Sequence, residues 1–398
     1  MVRYILKRLF QSLLTILLVV CIVFFLMRLM PTDYFFTEDE LIKFTDQQKY
    51  AKLERMGVMS ICKDCGGTGL AEDGTACPRC REYSTNPACG SGYVDRSMFA
   101  QLGDFFVNMF EVRVYNEKGN VIKTIDPVTV WTYLQDPHVF ENNSKMKDSY
   151  HTALAFNLGK SIRLEKGQYV TDVIMNKMSV SMSIGLIALA VSLVLGVVLG
   201  VLQARYKDGL FDHIGTGYTV LVNAVPHLVI YTIIMIGGAA LFKLPMRYDA
   251  TANEPWKTMV LPIVCLSIGS TAGYMLWTRR YMVDELNKDY IRLAKLKGLS
   301  DRKVMFRHVL KNAFVPLAQY LPYSILLTVG GSLLVERFFS VPGMGPELTN
   351  AISRYDLNLV QGIVLLYATM GILGVFLGDL LMTLIDPRIK LVGKEGVR

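Results

Sequence analysis

The sequence predicts an all-α polytopic membrane protein with six transmembrane helices and a small α+β extracytoplasmic domain inserted between helices 1 and 2. Three observations predict this class. Hydrophobic residues make up 52% of the 398 residues, and the mean hydropathy of +0.34 is high for a soluble domain. The apolar residues form long runs, each able to cross about 30 Å of hydrocarbon as a helix. A hydrophilic stretch, residues 31–170, separates the first run from the others.

The first apolar run, Leu9–Met30, follows the basic residues Arg3, Lys7 and Arg8. A cleaved signal peptide would also begin with basic residues, but this run is long for a signal core and no small-x-small cleavage site follows it. We therefore expect a transmembrane helix over residues 1–30. The five further runs lie near residues 178–204, 214–242, 257–278, 312–336 and 358–386.

Lysine and arginine indicate the orientation of these spans. Residues 279–311 contain ten basic and four acidic residues, and the N-terminus, the 205–213 turn and the C-terminal tail are also basic. With six spans, all four segments lie on one side, which should be the cytoplasm because cytoplasmic loops are rich in lysine and arginine. Both termini are then cytoplasmic. These loops and the surrounding membrane lipid explain the net charge of +8, and we expect no nucleic-acid partner.

Residues 31–170 contain 16 basic and 19 acidic residues, as expected of an extracytoplasmic domain. We divide this domain into a cysteine-rich insert at 58–97 and a β-hairpin at 111–125, preceded by a helix from Thr37 to Met56 with Thr37 as its N-cap. Residues 171–398 then form a five-helix core with cytoplasmic helices at 284–311.

Four cysteines of the insert form two CxxC pairs separated by eleven residues: Cys62, Cys65, Cys77 and Cys80. Two such pairs can enclose one tetrahedral zinc ion, and Cys65–Gly69 locally resembles the zinc modules of DnaJ-type chaperones. Disulfides are an alternative, because the domain should face an oxidising exterior. Either arrangement leaves Cys89 over, and catalytic redox chemistry is a third interpretation. The sequence favours structural zinc.

Residues 284–312 predict two short amphipathic helices with a bend between them. Leu286, Tyr290 and Leu293 recur at helical spacing, Gly298 can end the first helix in a left-handed conformation, and Ser300 can cap the second. Such an element could dock into a groove on a soluble partner. It could equally be a basic helix lying on anionic lipid.

This segment resembles the EAA coupling motif of ABC importer permeases, especially those for dipeptides, oligopeptides and nickel. The pattern is close to D-Y-[IV]-x-x-A-x-x-K-G-L-S followed by R-H-x-[LI]-x-N-A-x-x-P. The resemblance implies a role in ATPase coupling for Asp289, Tyr290, Ala294, Lys297, Gly298, Leu299, Ser300, Arg307 and His308. The match continues with Ile291, Leu310, Asn312, Ala313 and Pro316.

The resemblance extends to Met30-Pro31, Leu158–Ser161, Phe339–Gly345 and Asp386–Arg388, and implies a type I ABC importer permease in the bacterial cytoplasmic (inner) membrane. The implied partners are a second homologous permease, two ABC ATPase subunits and an extracytoplasmic peptide-binding lipoprotein. The cysteine insert and the hairpin depart from the family, whose connector between spans 1 and 2 is much shorter.

We expect no enzyme activity and no nucleotide bound by this chain. Gly159-Lys160-Ser161 looks like the end of a phosphate-binding loop, but Leu154 stands where that loop needs its earlier glycine. ATP hydrolysis would then belong to the separate subunits. Nickel or another small solute is the alternative cargo, and a membrane-anchored zinc or redox scaffold is the alternative function of a different class.

Overall fold

The described part of the chain consists mainly of helices. The structure is a computed structural model that describes residues 2–70, 75, 77, 80, 91–107, 110–115, 121–125 and 151–385, with the backbone alone at 2–4, 110–115, 121–125 and 151–156. The chain divides into two units. The helical unit comprises Met1–Val19, Ile174–Asn350 and Ile363–Arg398, and the mixed unit comprises Val20–Val173 and Ala351–Gly362.

Within the described ranges, five helical segments are long and apolar enough to cross a membrane. They are Ile5–Arg28, Val170–Arg205, Pro255–Leu286, Asp301–Phe338 and Leu357–Ile385. The first segment is part of α1 (Val2–Arg28). The second is α5 (Val170–Arg205), the third is α8 (Pro255–Leu286) and the fifth is α14 (Leu357–Ile385). The fourth combines α10 (Asp301–Val304), α11 (Lys311–Leu327) and α12 (Leu333–Phe338), and α13 (Met344–Ser353) precedes α14. The chain is therefore a multi-pass membrane protein by the length and composition of its helices.

The run predicted as one span over 214–242 is instead a bent pair of helices, α6 (Leu210–Ala224) and α7 (His227–Phe242), which meet at 108°. Pro226 explains the break, because proline has no N–H and disfavours a helical conformation in the residue before it. Val225 is accordingly extended, with φ −84° and ψ 132°. The pair counts as a sixth span only if it crosses the membrane as one broken element.

Glycines allow two helices of the helical unit to pack closely. A Cβ at Gly196 or Gly200 of α5 would lie 2.5 Å or 2.6 Å from the Cβ of Tyr274 or Thr278 of α8. These two glycines are four residues apart and share one face of α5, the spacing of small residues that brings membrane helices together. Larger side chains there would push α5 and α8 apart.

A buried ion pair joins α6 to α8. Arg279 Nε and Nη2 donate to the two carboxylate oxygens of Asp212 at 2.5 and 2.6 Å, and the Asp208 N–H donates to the same carboxylate at 3.0 Å. This fork-like geometry is the strong form of an arginine–carboxylate contact. It fixes the start of the bent helix pair against the long helix α8.

The mixed unit begins with two helices where the sequence predicts one. Thr37 is an N-cap with a complete capping box, as predicted, but its helix α2 (Glu38–Lys43) ends after six residues. Thr45 forms a second capping box with Gln48 and starts α3 (Asp46–Arg55). The continuous helix from Thr37 to Met56 was wrong because Thr45 satisfies the first N–H groups of a new helix, which favours a restart.

Two small sheets follow. Strands β1 (Met59–Ile61) and β2 (Tyr93–Asp95) pair antiparallel, and α4 (Met98–Val107) comes next. At the position of the predicted hairpin, β3 (Phe110–Tyr115) pairs antiparallel with β4 (Val121–Ile125). β3 also pairs with β5 (His151–Phe156), which gives the order β4-β3-β5. β5 was not predicted because β4 and a long stretch of chain separate it from its partner β3 in the sequence.

Asp356 holds together distant parts of the mixed unit. Its fully buried carboxylate accepts hydrogen bonds from the Ser161 hydroxyl at 2.5 Å and from the Arg163 and Leu164 N–H groups at 2.9 Å. Arg163 in turn donates to the carbonyl oxygen of Phe36. These bonds fix the 157–164 loop against the start of α14.

Candidate coupling segment and cysteine centre

The candidate coupling segment, residues 285–312, contains α9 (Asp289–Leu296), α10 and a π-helical turn at Met305–Leu310, followed by α11. Gly298 separates α9 from α10 with φ +77°, the left-handed conformation that its glycine predicts. Its N–H donates to the Lys295 carbonyl oxygen at 2.9 Å. Among the described residues beyond its two chain neighbours, no atom lies within 4 Å of the position a Cβ would take, so backbone conformation and not space selects glycine.

One face of the segment is buried against the membrane helices. Ile291 and Ala294 pack in a cluster with Val201 of α5 and Met282 of α8, and Val309 of the π-helical turn joins them. Ala294, which the resemblance places at the bend, therefore contacts this chain's own helices. It positions the segment and leaves the outward surface to other residues.

A small hydrogen-bond network ties α9 to both neighbouring helices. The Tyr290 hydroxyl donates to the carboxylate of Glu285, at the end of α8, and accepts from Asn312 Nδ2 at 2.7 Å. Asn312 lies in the first turn of α11. Since α8 and α11 both belong to segments able to cross a membrane, this network ties the first turn of α9 to two such segments.

The outward face combines apolar and charged side chains. Leu293 and Leu296 are exposed, and Leu296 retains 85% of its accessible surface. Phe306, in the π-helical turn, is also exposed. The predicted residues Asp289, Lys297, Ser300 and Arg307 are exposed, whereas Leu299 and His308 are half-buried. Ser300 occupies the N-cap position of α10, but its side chain makes no capping hydrogen bond.

Helical spacing in the sequence identifies Leu293. It did not identify Leu296 and Phe306, which the structure shows to be exposed. Apolar side chains in an amphipathic helix are expected to face inward, and the sequence alone does not show that Ile291 and Ala294 already fill the buried face. The signal that was present is the position of Leu296, three residues after Leu293 and therefore beside it on the helix.

The four paired cysteines converge on one point. Cys62 follows β1, and its N–H donates to the Gly92 carbonyl oxygen at 2.9 Å just before β2. The Cys77 N–H donates to the Gly69 carbonyl oxygen at 3.0 Å, which brings the second pair back to the first. All four Sγ atoms lie within 4.8 Å of one another, so these residues could hold a metal ion.

The sulfur distances fit a tetrahedral metal site. Cys62 Sγ lies 3.9 Å from Cys77 Sγ, and Cys65 Sγ lies 3.4 Å from Cys80 Sγ. A zinc ion with Zn–S bonds of about 2.3 Å places its tetrahedral sulfurs about 3.8 Å apart. Glycines at 66, 67 and 69 all have positive φ, which allows the turn after the first pair.

The thiols of this centre differ in acidity. Burial alone would raise the pKa of Cys65, but hydrogen bonds from the Gly69 N–H, the Cys80 thiol and the Gly67 N–H lower its pKa to about 7. Burial and the hydrogen bond with Cys65 raise the pKa of Cys80. The backbone amides therefore already favour a thiolate at Cys65, the form in which cysteine binds metals.

The chain is similar to known membrane transport proteins. Residues 196–391 match the family described as binding-protein-dependent transport system inner membrane component. The dipeptide transport system permease protein DppB of Bacillus subtilis is 32% identical over 278 residues, which cover 70% of this chain and 88% of DppB. This chain belongs to the family of inner membrane permease components of binding-protein-dependent transport systems.

Other relatives cover the permease less completely. The oligopeptide transport system permease protein AmiC of Streptococcus pneumoniae is 37% identical over 220 residues, or 55% of this chain. The chain spans only 44% of the length of AmiC. Among solved structures, the crystal structure of an amino acid ABC transporter with histidines covers 55% of this chain at 14% identity, with a TM-score of 0.42.

The family match contains the whole candidate coupling segment and excludes the cysteine centre. It also contains Asp379 of α14, which forms an ion pair with Arg8 of α1 at 3.3 Å and accepts a hydrogen bond from Gln319 Nε2 at 3.0 Å. Asp379 lines a cavity of about 480 Å³ between α1, α11 and α14.

Proposed function

We propose that this permease is one membrane subunit of an ATP-driven ABC importer, and that it forms a translocation path for dipeptides or oligopeptides with a second homologous permease. Two separate ABC ATPase subunits supply the energy, and an extracytoplasmic peptide-binding lipoprotein delivers the cargo. The cargo class is supported by the names of its relatives, which are permeases of oligopeptide and dipeptide transport systems. ATP hydrolysis belongs to the ATPases and not to this chain.

The exposed apolar face of the coupling segment carries this proposal. Leu293 and Leu296 are exposed on a helix whose opposite face is buried and whose first turn is tied through Tyr290 to α8 and α11. An amphipathic helix of this kind fits an apolar groove on a partner. Because α9 packs on and is hydrogen-bonded to the helices around it, a partner that displaces α9 would also displace those helices.

The distribution of charge supports a cytoplasmic position for this face. Ten basic residues lie within 279–311, and both termini are basic. With the bent pair α6–α7 counted as one span, the chain crosses six times, both termini are cytoplasmic and residues 31–170 are extracytoplasmic. Protease or tag accessibility in sealed vesicles checks this arrangement, and a tag at Gly167 that is reached only from the cytoplasm would contradict it.

The sharpest test of the coupling face replaces Leu296 with glutamate and measures copurification of the ATPases with the permease. Ile42→Glu is a matched control, because Ile42 is also 85% exposed but lies in α2 of the mixed unit. We expect Leu296→Glu to reduce ATPase recovery at least tenfold, because a charge in an apolar groove loses its hydration. Equal recovery for both variants would reject this face as the ATPase contact.

The cysteine centre supports a second, structural proposal: Cys62, Cys65, Cys77 and Cys80 hold one zinc ion. Four thiolates in this geometry form a closed site without an open position for substrate. The ion would stabilise the turn between β1 and β2, whose short strands bury little surface of their own. It is not offered as a sign that the permease transports metals.

Metal analysis of the purified chain tests this proposal. We expect about one zinc per chain, lost in Cys77→Ser and retained in Cys21→Ser, since Cys21 lies in α1 away from the centre. Absence of zinc, together with no thiol reactivity at Cys62, Cys65, Cys77 and Cys80, would show disulfides instead.

A further inference from the structure

Helix α4 of the mixed unit presents an apolar face to its surroundings. Phe99 and Val107 retain 79% and 53% of their accessible surface. They lie about two helical turns apart, and the exposed Gly103 lies between them on the same face. Ala100 is exposed beside them. The most exposed residues of α4 therefore carry no polar side-chain group.

The polar side chains of α4 are turned toward the protein. Gln101 is only 7% exposed, and its Nε2 donates to the Arg96 carbonyl oxygen at 3.0 Å. Asp104, the one charged residue of α4, forms an ion pair with the Arg96 side chain. A helix on the surface of a water-soluble domain has the opposite arrangement, with its polar residues outside and its apolar residues in the core. This reversal indicates an apolar environment outside α4.

The face of α4 differs from the isolated apolar residues that any protein surface contains. Ile42 of α2 is 85% exposed, but Glu38, Asp39 and Lys43 are exposed beside it. Single apolar side chains among charged ones are ordinary on a surface in water. Ile42 is therefore an internal comparison for Phe99, because it is about as exposed and lies in the same unit, but on a charged helix.

Aromatic contacts hold α4 against the end of the first membrane-crossing segment, Ile5–Arg28. The ring centre of Phe99 lies 5.9 Å from that of Phe25, and the ring centre of Phe105 lies 5.3 Å from that of Phe24. As a helix, the 24 residues of this segment span about 36 Å, whereas the hydrocarbon of a bilayer is about 30 Å thick. The end of α1, and α4 with it, is therefore expected at the boundary between hydrocarbon and headgroups.

The exposed side of α1 continues onto α4. Ile22 and Leu26, one turn apart on α1, are 48% and 56% exposed. Phe25, which contacts Phe99, adjoins Leu26 in the chain. Exposed apolar side chains of a membrane-crossing helix face the hydrocarbon. The apolar face of α4 is thus an extension of a surface that lipid covers.

We propose that α4 is an interfacial helix that lies on the bilayer beside the end of α1, with Phe99 and Val107 inserted among the lipid acyl chains. A helix of this kind places its apolar face about 5–10 Å into the boundary between headgroups and acyl chains. α4 contains no lysine or arginine, so apolar contact and not anionic lipid holds it there. The inference goes beyond the proposed import, and only the choice of the outer leaflet rests on the proposed extracytoplasmic position of residues 31–170.

Quenching of tryptophan fluorescence by brominated lipid tests this placement. The purified full-length chain is reconstituted in nanodiscs of phosphatidylcholine whose acyl chains carry bromine near the headgroup. Phe99→Trp and Val107→Trp place one probe at each end of the apolar face, and Ile42→Trp is the matched control. The fluorescence of the parent chain, which has tryptophans at 131, 256 and 277, is subtracted.

We expect bromine to remove about half of the fluorescence of Phe99→Trp and Val107→Trp, and about a tenth or less of that of Ile42→Trp, because only the face of α4 lies among acyl chains. Adding phosphatidylglycerol should leave the quenching unchanged, since α4 carries no basic residue. Equal quenching of all three probes, no quenching at either α4 position, or quenching that requires phosphatidylglycerol would overturn the proposal.

The assembled importer distinguishes lipid from a protein partner. We expect the quenching of Phe99→Trp to persist after addition of the second permease, the ATPases and the binding protein. Loss of quenching on assembly would show that a protein subunit covers α4 and would overturn lipid as its partner. Failure of peptide uptake with unchanged quenching would contradict the proposed import and leave the placement of α4 standing.

Discussion

Gly298 is the single residue on whose backbone the coupling segment depends most. It has φ +77° in open space, so any other residue would be strained by its conformation and not by a collision. The strain would be relieved by changing the angle between α9 and α10. That angle sets how α10 and the exposed Phe306 lie relative to Leu293 and Leu296, so Gly298 shapes the outward face through its backbone.

Gly298→Val should lower the free energy of unfolding by roughly 1–2 kcal/mol and abolish copurification of the ATPases, because a β-branched residue disfavours positive φ. Gly167→Val is the matched control. Gly167 has φ +82°, also has nothing within 4 Å of its would-be Cβ, and lies in the mixed unit. Thermal unfolding should show similar losses for both, with ATPase recovery lost only at position 298. If both variants retain the ATPases, the bend has no mechanical role.

Residue-scale predictions from the sequence succeeded where the signal was local. The positive φ of Gly298 follows from a glycine at the end of a periodic segment, and the meeting of the four cysteines follows from two close pairs. The contact of Tyr290 with Glu285 and Asn312 and the contact of Asp356 with Ser161 could not be predicted. Ser161 and Asp356 are 195 residues apart, and no local pattern reports such a pairing.

At the scale of elements, the largest differences from expectation occur where two local signals compete. The run 214–242 is apolar throughout, which predicts one span, but Pro226 imposes a bend of 108°. Pro262, Pro316 and Pro322 lie inside continuous helices. The presence of a proline therefore predicts a possible break, whereas its consequence depends on the packing of the helices around it.

The Asp212–Arg279 pair should be the main anchor of the bent helix pair. The Asp212 side chain is 5% exposed, so Asp212→Ala leaves Arg279 without its partner and should destabilise the chain by about 3 kcal/mol. Arg279→Met in the same chain should recover part of this loss, because the double variant no longer holds an unpaired charge. Unfolding of the parent, both single variants and the double variant measures the coupling. Additive losses would show that the pair contributes nothing of its own.

At the scale of the whole molecule, composition sufficed to predict the class of the protein. A bilayer requires long apolar helices, and such runs remain visible in a single sequence. The resemblance of residues 284–312 to a coupling motif gave the family, which the comparisons confirmed. The architecture of the mixed unit was not predictable to the same depth, because its strands are short and its core joins Phe36 and Met59 to the distant Leu357.

The central claim is that separate ATPases drive this permease through the outward face of α9. The most direct measurement is uptake of labelled trialanine by proteoliposomes that contain the permease, its partner permease, both ATPases and the binding protein. We expect ATP-dependent uptake by the parent chain and by Ile42→Glu, and loss of uptake in Leu296→Glu. Uptake that proceeds without the ATPases, or that is unchanged by Leu296→Glu, would contradict it.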